Sequence, residues 1–346
     1  MNRRTFLQAG TAALGAASLL PSSVARPSAA ADPHAPSIMT VTGPIDPAAL
    51  GRTLPHEHVM VDFVGAEAVG PERYDRAEVQ SVIQPYLDDL VAVGAQSMME
   101  CTPAFLGRDP VLLRALSMAT GLQMITNTGY YGARNDQHLP RHAFTESADD
   151  LAERWIREGR EGIGETGIRP GFIKIGVDPG PLSAIDEKLV RAACRTHRQT
   201  GLTIASHTGP ATPAFEQLRV LDEEGVDPSA WIWVHAQSED DTARHVEAAR
   251  RGAWVEFDGY EPDQTSAYVQ RLTTLREHGL LDRVLIAHDN GWYSVGEPGG
   301  GDVQPYTALF TELLPALRHA GFTAAEIDRL VMANPADAFS IRVRSR

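Results

Sequence analysis

Short runs of apolar and β-branched residues alternate along the chain with longer segments whose apolar residues recur at the helical period. The short runs predict strands at residues 52–59, 95–101, 122–128, 172–177, 202–207, 232–235, 253–258 and 284–289. The longer segments predict helices at residues 77–93, 110–120, 148–159, 183–200, 212–224, 241–251 and 266–278. Five of these helices end just before a glycine, at Gly94, Gly121, Gly201, Gly252 and Gly279, as helices commonly do. The pattern is a repeated strand-helix unit.

Eight such units in a chain of this size fit a closed (β/α)8 barrel, an α/β fold whose inner wall consists of parallel strands. No glycine-rich phosphate-binding loop follows the first predicted strand, which argues against a dinucleotide-binding sheet. Two further helical segments, residues 305–319 and 323–332, would complete the ring, and residues 38–45 predict a small hairpin below it. Since the composition does not shift along the chain, we expect residues 32–346 to form a single barrel domain.

The composition is that of a large globular protein, with 346 residues of which 43% are hydrophobic. A formal net charge of −14 leaves no basic stripe for a phosphate backbone, so we do not expect nucleic acid as a partner. Cys101 and Cys194 are the only cysteines, and one pair in a chain of this length is no disulfide framework. Both are expected to pack in the core.

The first 31 residues have the arrangement of an export signal. A basic start precedes an apolar run over residues 9–20, and small residues follow and end in AAA at residues 29–31. The run is too short to cross a bilayer, and no later segment is long and apolar enough to span one. The motif RRTFLQ at residues 3–8 resembles the twin-arginine signal, which exports folded proteins. We therefore expect a mature bacterial protein in the periplasm or outside the cell.

Polar residues stand at the carboxyl ends of several predicted strands, where the catalytic groups of such a barrel lie. They are His56 and His58 of PHEHV, Lys174 of GFIKIG, His207 of IASHTG, His235 of WVHAQ and Asp289 of IAHDNGW. Taken singly, each histidine is more often a hydrogen-bonded core or rim residue than a ligand. Burying all of these titratable groups at one end of the barrel would cost desolvation free energy, and a bound cation would offset that cost. Nitrogen and oxygen ligands without a thiolate suit Zn²⁺, with Mn, Co or Fe as alternatives.

Lys174 does not suit a plain cation site, because metal ions repel an ammonium group; we expect this lysine to be neutral or chemically modified. The whole motif set, with TLPHEH, GFIKI, the HT of the fifth strand and ANPADAF near the end, resembles the phosphotriesterase family of the amidohydrolase superfamily. The resemblance covers essentially all of the chain after the signal. It implies that CO₂ carboxylates Lys174 and that the resulting carbamate bridges two metal ions, which removes the repulsion.

The resemblance also implies a role for each residue of the motif set. The more buried metal ion would be held by His56, His58 and Asp289, and the more exposed one by His207 and His235. Carboxylated Lys174 and a hydroxide would bridge the two ions, which lower the pKa of the bridging water and polarise the substrate oxygen. Asp289 would accept the hydroxide proton. Lys174 and Asp289 are thus the predicted catalytic residues.

Strand alternation directs Glu57 and His288 away from the lumen. Glu57 is therefore expected to support the site or to pack in the core. Four aromatic residues at strand mouths are candidates to line the substrate pocket, with plain packing as the alternative: Tyr130, Tyr131, Trp292 and Tyr293. His138 and His142 lie in a polar loop that we expect to be solvated. The remaining histidines are expected at the surface, on the leader or on predicted helices: His34, His197, His245, His278 and His319.

Two features depart from the best-known members of that family. The loop after His235 reads AQSEDD, and the seventh strand ends in FDGY, so that Gly259 stands where many relatives place His or Arg. Because Gly259 cannot relay a proton, the proton route beyond Asp289 stays open, with Asp258 or Asp240 as candidates. The glycine-rich loop after Asp289 is expected to influence the choice of substrate.

The sequence therefore predicts an exported, binuclear metal-dependent hydrolase that attacks an ester bond, with a small lactone or carboxylic ester as the first expectation. Phosphotriester cleavage is the alternative within the enzyme class. A catalytically silent metal-containing binding protein is the alternative outside it. Related barrels often form homodimers, but no interface can be identified from this sequence.

Overall fold

Parallel strands close into a barrel in the computed structural model, which describes residues 36–346. The strands are β1 (Ile38–Thr40), β2 (Gly43–Ile45), β3 (Thr53–Glu57), β4 (Met60–Val61), β5 (Ser97–Glu100), β6 (Gln123–Ile125), β7 (Asn127–Thr128), β8 (Phe172–Gly176), β9 (Thr203–His207), β10 (Trp231–Val234), β11 (Trp254–Phe257), β12 (Val284–Ile286) and β13 (Tyr293–Ser294). The export signal predicted for residues 1–31, and His34, lie outside the described residues.

Helices surround the strands. They are α1 (Arg76–Ala92), α2 (Pro110–Thr120), α3 (Arg141–Thr145), α4 (Ala148–Glu161), α5 (Ala184–Thr200), α6 (Ala211–Glu223), α7 (Thr242–Arg250), α8 (Thr265–Glu277), α9 (Leu314–His319), α10 (Ala324–Asp328) and α11 (Asn334–Phe339). Two π-helical turns, Leu309–Leu313 and Arg329–Ala333, lead into α9 and α11. Over residues 36–346, no helix has the length and apolar character that crossing a membrane requires.

The barrel consists of two runs of parallel strands, β3-β5-β6 and β7 to β12. β6 and β7 belong to one strand interrupted at Thr126, which joins the two runs on one side. On the other side the ring closes beyond β12, where the backbone N–H of Asp289 donates to the carbonyl of His56 at 3.2 Å. The described residues thus place eight strand positions around one lumen, and the predicted (β/α)8 fold is confirmed. The predicted hairpin is formed by the antiparallel pair β1 and β2.

Strand alternation divides the core into two layers. In β10, Ile232 and Val234 belong to the apolar cluster that fills the lumen, whereas Trp231 and Trp233 belong to the cluster between strands and helices. α11, which has no counterpart among the predicted helices, places Phe339 in the lumen cluster. Each fully buried side chain of this size stabilises the fold by about 1.5–3 kcal/mol. Both cysteines are buried and free, as expected for core packing.

Local signals set the ends of the helices, including the glycine ends that the sequence predicts. Ser147 and Ser183 each form a capping box at the start of α4 and α5. Gly121 and Gly201 end α2 and α5 with left-handed φ angles of 77° and 75°, a backbone conformation that suits glycine. The helices are therefore fixed largely by local chemistry.

Two of the strands that end earlier than predicted affect the candidate site. β10 ends at Val234 and β12 at Ile286, so that His235 and Asp289 lie in the turns beyond them. Both residues have left-handed φ angles, 60° for His235 and 64° for Asp289. Such angles are uncommon for residues with a Cβ and are found where the surrounding structure holds them in place. The two side chains are therefore directed by turns and not by strand alternation.

Candidate metal centre

A cavity of about 340 Å³ opens at the carboxyl ends of the barrel strands, and all six predicted metal-associated residues line it. We call these six residues the ligand cluster: His56, His58, Lys174, His207, His235 and Asp289. The remaining residues around the cavity form what we call the cavity wall: Phe63, Cys101, Pro103, Leu106, Tyr131, Arg134 and Trp292. A cavity of this volume accommodates a small organic molecule.

His56, His58 and Asp289 offer ligand atoms that lie within 4.8 Å of one another, close enough to hold one metal ion. Oδ1 of Asp289 lies 3.0 Å from Nε2 of His58 and 3.5 Å from Nε2 of His56. This oxygen is buried, yet it accepts no hydrogen bond from any described residue. A buried acceptor without a donor is costly, and a cation between it and the two imidazoles would satisfy it. These residues therefore fit a metal ion.

The hydrogen bonds of His58 direct one of its nitrogens into the cavity. The hydroxyl of Thr102 donates to the carbonyl of Met60 at 3.1 Å, so that its oxygen accepts from Nδ1 of His58 at 2.7 Å. Nε2 of His58 then carries a lone pair toward Asp289. Burial holds the pKa of His58 well below its ordinary value. His58 is therefore neutral, which is the form that binds a metal ion.

Asp258 orients two further imidazoles. Its Oδ1 lies 2.7 Å from Nδ1 of His235 and its Oδ2 lies 3.1 Å from Nδ1 of His56, and the carboxylate is fully buried. Both histidines can then present Nε2 to the cavity, an arrangement common for metal-binding histidines with a carboxylate behind them. Although burial opposes it, the charge of Asp258 raises the pKa of His235, whereas burial lowers that of His56 to about 4.

Lys174 projects from β8 into the middle of the cluster. Its Nζ lies 3.3 Å from Nε2 of His56, and the side chain is 2% exposed. Within residues 36–346, no carboxylate forms an ion pair with this amine, although a buried ammonium ordinarily requires one. The buried amine therefore has no carboxylate partner among these residues, and its modification stays a prediction of the sequence.

His207 and His235 lie side by side, with ring centroids 4.4 Å apart. The hydroxyl of Tyr131 lies 3.3 Å from both ring nitrogens of His207. Burial, with the charge of His235 next in importance, holds the pKa of His207 well below its ordinary value. His207 is thus a third neutral imidazole, beside those of His56 and His58, at the place where the resemblance implies a second metal ion.

Glu57 points away from the cavity, as predicted, and holds the segment that carries Asp289. Its Oε1 accepts hydrogen bonds from the backbone N–H and Nδ1 of His288 at 3.0 and 2.8 Å, and its Oε2 accepts one from the backbone N–H of Asn290 at 2.8 Å. His288 also faces outward, where its Nε2 accepts from the backbone N–H of Leu309 at 2.7 Å. These bonds fix the residues on both sides of Asp289, which explains how its left-handed backbone is maintained.

Of the four aromatic candidates, Tyr131 and Trp292 line the cavity and the other two do not. Tyr130 packs edge-on against Trp155, with ring centroids 5.3 Å apart, and its hydroxyl lies 3.0 Å from Nε2 of His142. Tyr293 lies in β13, and its hydroxyl donates to Glu78 at 3.2 Å. Tyr130 and Tyr293 are therefore core residues, because consecutive residues of an extended segment face opposite sides.

Three histidines expected in a solvated loop or at the surface are fully buried instead: His138, His197 and His245. His197 donates from Nδ1 to the carbonyl of Leu202 at 2.9 Å, and His245 donates from Nε2 to the carbonyl of Ala236 at 2.8 Å. A buried imidazole is tolerated when a backbone carbonyl satisfies its N–H. The surface prediction is wrong for these three residues, whereas His278 and His319 are exposed.

Gln237 occupies the space beside Gly259 and was not singled out from the sequence. Its Nε2 donates to Oδ1 of Asp258 at 2.8 Å, and its Oε1 accepts from the backbone N–H of Asp258 at 3.1 Å. A Cβ on Gly259 would lie 2.6 Å from the Gln237 amide nitrogen, so that any larger residue there would require the Gln237 side chain to move. Asp240, the other acid considered for the proton route, is exposed on its loop. Two features of the sequence point to Gln237: the AQ dipeptide after His235, and Gly259 at a position where many relatives place His or Arg.

Comparison with known proteins agrees with this geometry. The model of the phosphotriesterase family matches residues 36–339. A phosphotriesterase homology protein of Escherichia coli is 32% identical over 295 residues, which cover 84% of this chain and 98% of that protein. An aryldialkylphosphatase of Saccharolobus solfataricus is 28% identical over 302 residues, which cover 84% and 95% of the two chains.

A solved structure extends the likeness to three dimensions. A variant of a phosphotriesterase-like lactonase of Deinococcus radiodurans superposes with a TM-score of 0.78 and 31% identity, covering 87% of this chain and 99% of that one. The family match, the barrel and the ligand cluster agree with one another. The chain belongs to the phosphotriesterase family, whose members are metal-dependent hydrolases with a binuclear centre.

Proposed function

We propose that this protein hydrolyses a small carboxylic ester, with lactones and related esters as its substrate class. The observation that carries the proposal is the buried Oδ1 of Asp289, which accepts no hydrogen bond within residues 36–346 and faces two neutral imidazoles at the base of a cavity of about 340 Å³. The likeness to a lactonase structure supports the choice of bond.

In this proposal His56, His58 and Asp289 hold one divalent cation, and His207 and His235 hold a second. Lys174, carboxylated by CO₂, is shared between them, which would give the buried amine its missing negative charge. Zn²⁺ is the proposed ion, because imidazole and carboxylate ligands suit it, and Mn, Co and Fe are the alternatives. The two ions would supply a water of lowered pKa and polarise the carbonyl oxygen of the ester.

The side chains of this protein transfer the proton and orient the substrate. Asp289 accepts the proton of the attacking water as the new C–O bond forms and can return it to the alcohol oxygen when the ester bond breaks. Asp258 holds the ring of His235 in place throughout. Tyr131, whose hydroxyl lies beside His207, and Trp292 orient the substrate, and the mainly apolar cavity wall limits the access of bulk water.

Phosphotriester cleavage is the second candidate reaction. A water activated at the ligand cluster would attack a phosphoryl centre in the same way as a carbonyl, and the aryldialkylphosphatase of Saccharolobus solfataricus is a relative of this chain. Export is also part of the proposal: the motif RRTFLQ at residues 3–8 supports passage through the twin-arginine pathway after folding.

The proposal is tested on the purified mature chain by counting metal ions per protomer through elemental analysis. A lactone series is then assayed against an aryl phosphotriester. Two ions with faster lactone turnover support the proposal, and faster triester turnover supports the second candidate. Bound metal without hydrolysis of any ester would instead identify a binding protein.

A further inference from the structure

Arg134 is the single charged side chain of the cavity wall among the described residues. Its neighbours around the opening are aromatic or aliphatic, with Phe63, Leu106 and Trp292 among them. The protein as a whole carries a formal net charge of −14, so that the arginine at the opening of the cavity is opposite in sign to the net charge. A cation in such a position raises the local concentration of anionic ligands.

The guanidinium of Arg134 has no partner of its own within residues 36–346, where it enters no ion pair and no hydrogen bond. Two acids in the surrounding loops are already engaged. The carboxylate of Asp62 accepts from the guanidinium of Arg73, and that of Asp178 accepts from the backbone N–H of Asn135 at 3.1 Å. The donors of Arg134 are therefore available to a ligand.

Two features hold Arg134 in position. Its Cζ lies 4.6 Å from the centre of the Phe63 ring, and that ring stacks on Trp292 at 5.8 Å with an interplanar angle of 18°. The backbone from Arg134 through Asp136 runs through three consecutive left-handed residues, with φ angles of 63°, 56° and 60°. Stacking on an aromatic face leaves the edge of a guanidinium free to donate, so the group is prepared to bind before a ligand arrives.

We propose that Arg134 binds an oxyanion on the substrate, and that the natural substrate is a small ester that carries a carboxylate or sulfonate away from the bond that is cleaved. This inference rests on the proposed ester hydrolysis and narrows it. The planar fork of a guanidinium matches the two oxygens of such a group. The anion lies at Arg134 on the cavity wall while the ester carbonyl lies at the ligand cluster. A neutral phosphotriester has no anionic oxygen that could pair with this arginine.

The test compares two phenyl esters that differ at the far end, where monophenyl adipate has a carboxylate and methyl phenyl adipate a neutral methyl ester, with phenyl 5-sulfopentanoate as the sulfonate arm. The metal-loaded enzyme is assayed as the wild type, as Arg134→Met, which keeps a long side chain on Phe63, and as Arg134→Lys, which keeps the charge. Arg157→Met, an exposed arginine of α4, is the matched control. Metal content and circular dichroism confirm that each variant is folded and loaded.

In Arg134→Met we expect the ratio of kcat/KM for the charged ester to that for the neutral ester to fall about 10- to 100-fold, as loss of a charge-assisted hydrogen bond predicts. The change should lie in KM, Arg134→Lys should recover part of the ratio, and Arg157→Met should leave it unchanged. A ratio that is unaltered in Arg134→Met, or a wild type that prefers the neutral diester, would overturn the inference. The carboxylate and sulfonate arms show which anion is preferred.

Failure of the proposed function has a different outcome. If the loaded wild type cleaves none of the three esters and no lactone of the series, the proposed ester hydrolysis is excluded, and the anion site is judged by calorimetric titration with adipate. Weaker adipate binding by Arg134→Met than by Arg134→Lys and the wild type supports the site. Equal binding by all three, or no binding, excludes it.

Discussion

The ligand cluster and the cavity wall occupy the same end of the barrel but are built in different ways. His56, Lys174 and His207 project from strands, and buried carboxylates hold the cluster from behind. The wall is carried by loops, and Phe63 on it is 42% exposed. A cluster held by the barrel keeps its geometry when loops change, whereas a wall on loops can vary without disturbing the metal site. The ligand cluster therefore determines the type of reaction, and the cavity wall determines which substrate is bound.

This comparison predicts that substitutions in the cluster and its supports alter metal binding or stability. Substitutions in the wall should instead alter KM and selectivity while the protein keeps its metal ions. Each of the following changes can contradict that division.

The largest effect is expected for Lys174→Ala. Loss of the shared ligand should remove at least one metal ion per protomer and lower kcat by about 1,000-fold or more. Short carboxylic acids added to the assay should restore part of the activity by occupying the vacated space. Lys188→Ala on α5 is the matched control, since Lys188 is the other lysine of the chain. Unchanged metal content in Lys174→Ala would show that this residue is not a ligand.

The next largest effect concerns Glu100, which supports the strand beside the cluster. Burial raises the pKa of Glu100 from 4.5 to about 7, its Oε1 accepts from the backbone N–H of Val59 at 3.2 Å, and its Oε2 has no partner among the described residues. Because the folded state binds this proton more tightly than the unfolded state, the free energy of unfolding should fall as the pH rises from about 4.5 to about 7, by about 3 kcal/mol in total.

Glu100→Gln should remove that pH dependence, because glutamine keeps the acceptor and does not ionise. The measurement is urea denaturation of the metal-free protein at about pH 5 and about pH 8, with exposed Glu161→Gln as the control. A difference between the two pH values as large as that of the wild type would contradict the assignment.

Asp258→Asn should have a smaller effect on the cluster. The imidazoles of His56 and His235 would lose the carboxylate that orients them, and affinity for one metal ion should weaken about 10- to 100-fold. Competition with a chelator measures the affinity, and exposed Asp240→Asn should match the wild type. If Asp240→Asn weakened metal binding and Asp258→Asn did not, the metal site would depend on Asp240 of the loop and not on Asp258.

The smallest effects separate two adjacent aromatic residues. Trp292→Leu should change KM for esters about 3- to 10-fold with full metal content, because Trp292 belongs to the wall. Tyr293→Leu should cost about 1–3 kcal/mol of stability with an unchanged KM, because Tyr293 is a core residue that is 4% exposed. Thermal denaturation and steady-state kinetics on both variants test the contrast, and a reversed pattern would contradict the boundary between wall and core.

Much of this molecule follows from local patterns in the sequence. The eight strand positions, the helix caps at Ser147 and Ser183, and the inward direction of Lys174 all come from periodicity and short-range chemistry. The convergence of the cluster also follows, because parallel strands bring their carboxyl ends to one mouth.

Other features could not be predicted in this way. His235 and Asp289 lie beyond the strands in left-handed turns, where alternation no longer predicts direction. His197 and His245 are buried because backbone carbonyls satisfy them, and the carbonyl that meets His245 comes from the turn after β10. Tyr130 and Tyr131 differ in environment although they are neighbours of the same type.

The amino-acid sequence alone determines the barrel, its order of strands and helices, and the identity of the residues gathered at its mouth, because these depend on period, caps and short connections. The tertiary structure alone decides which nitrogen each histidine presents, that Gln237 fills the place beside Gly259, and that Arg134 faces the cavity without an ion pair or hydrogen bond to any described residue. Those features depend on contacts between segments far apart in the chain, and no local pattern records such contacts.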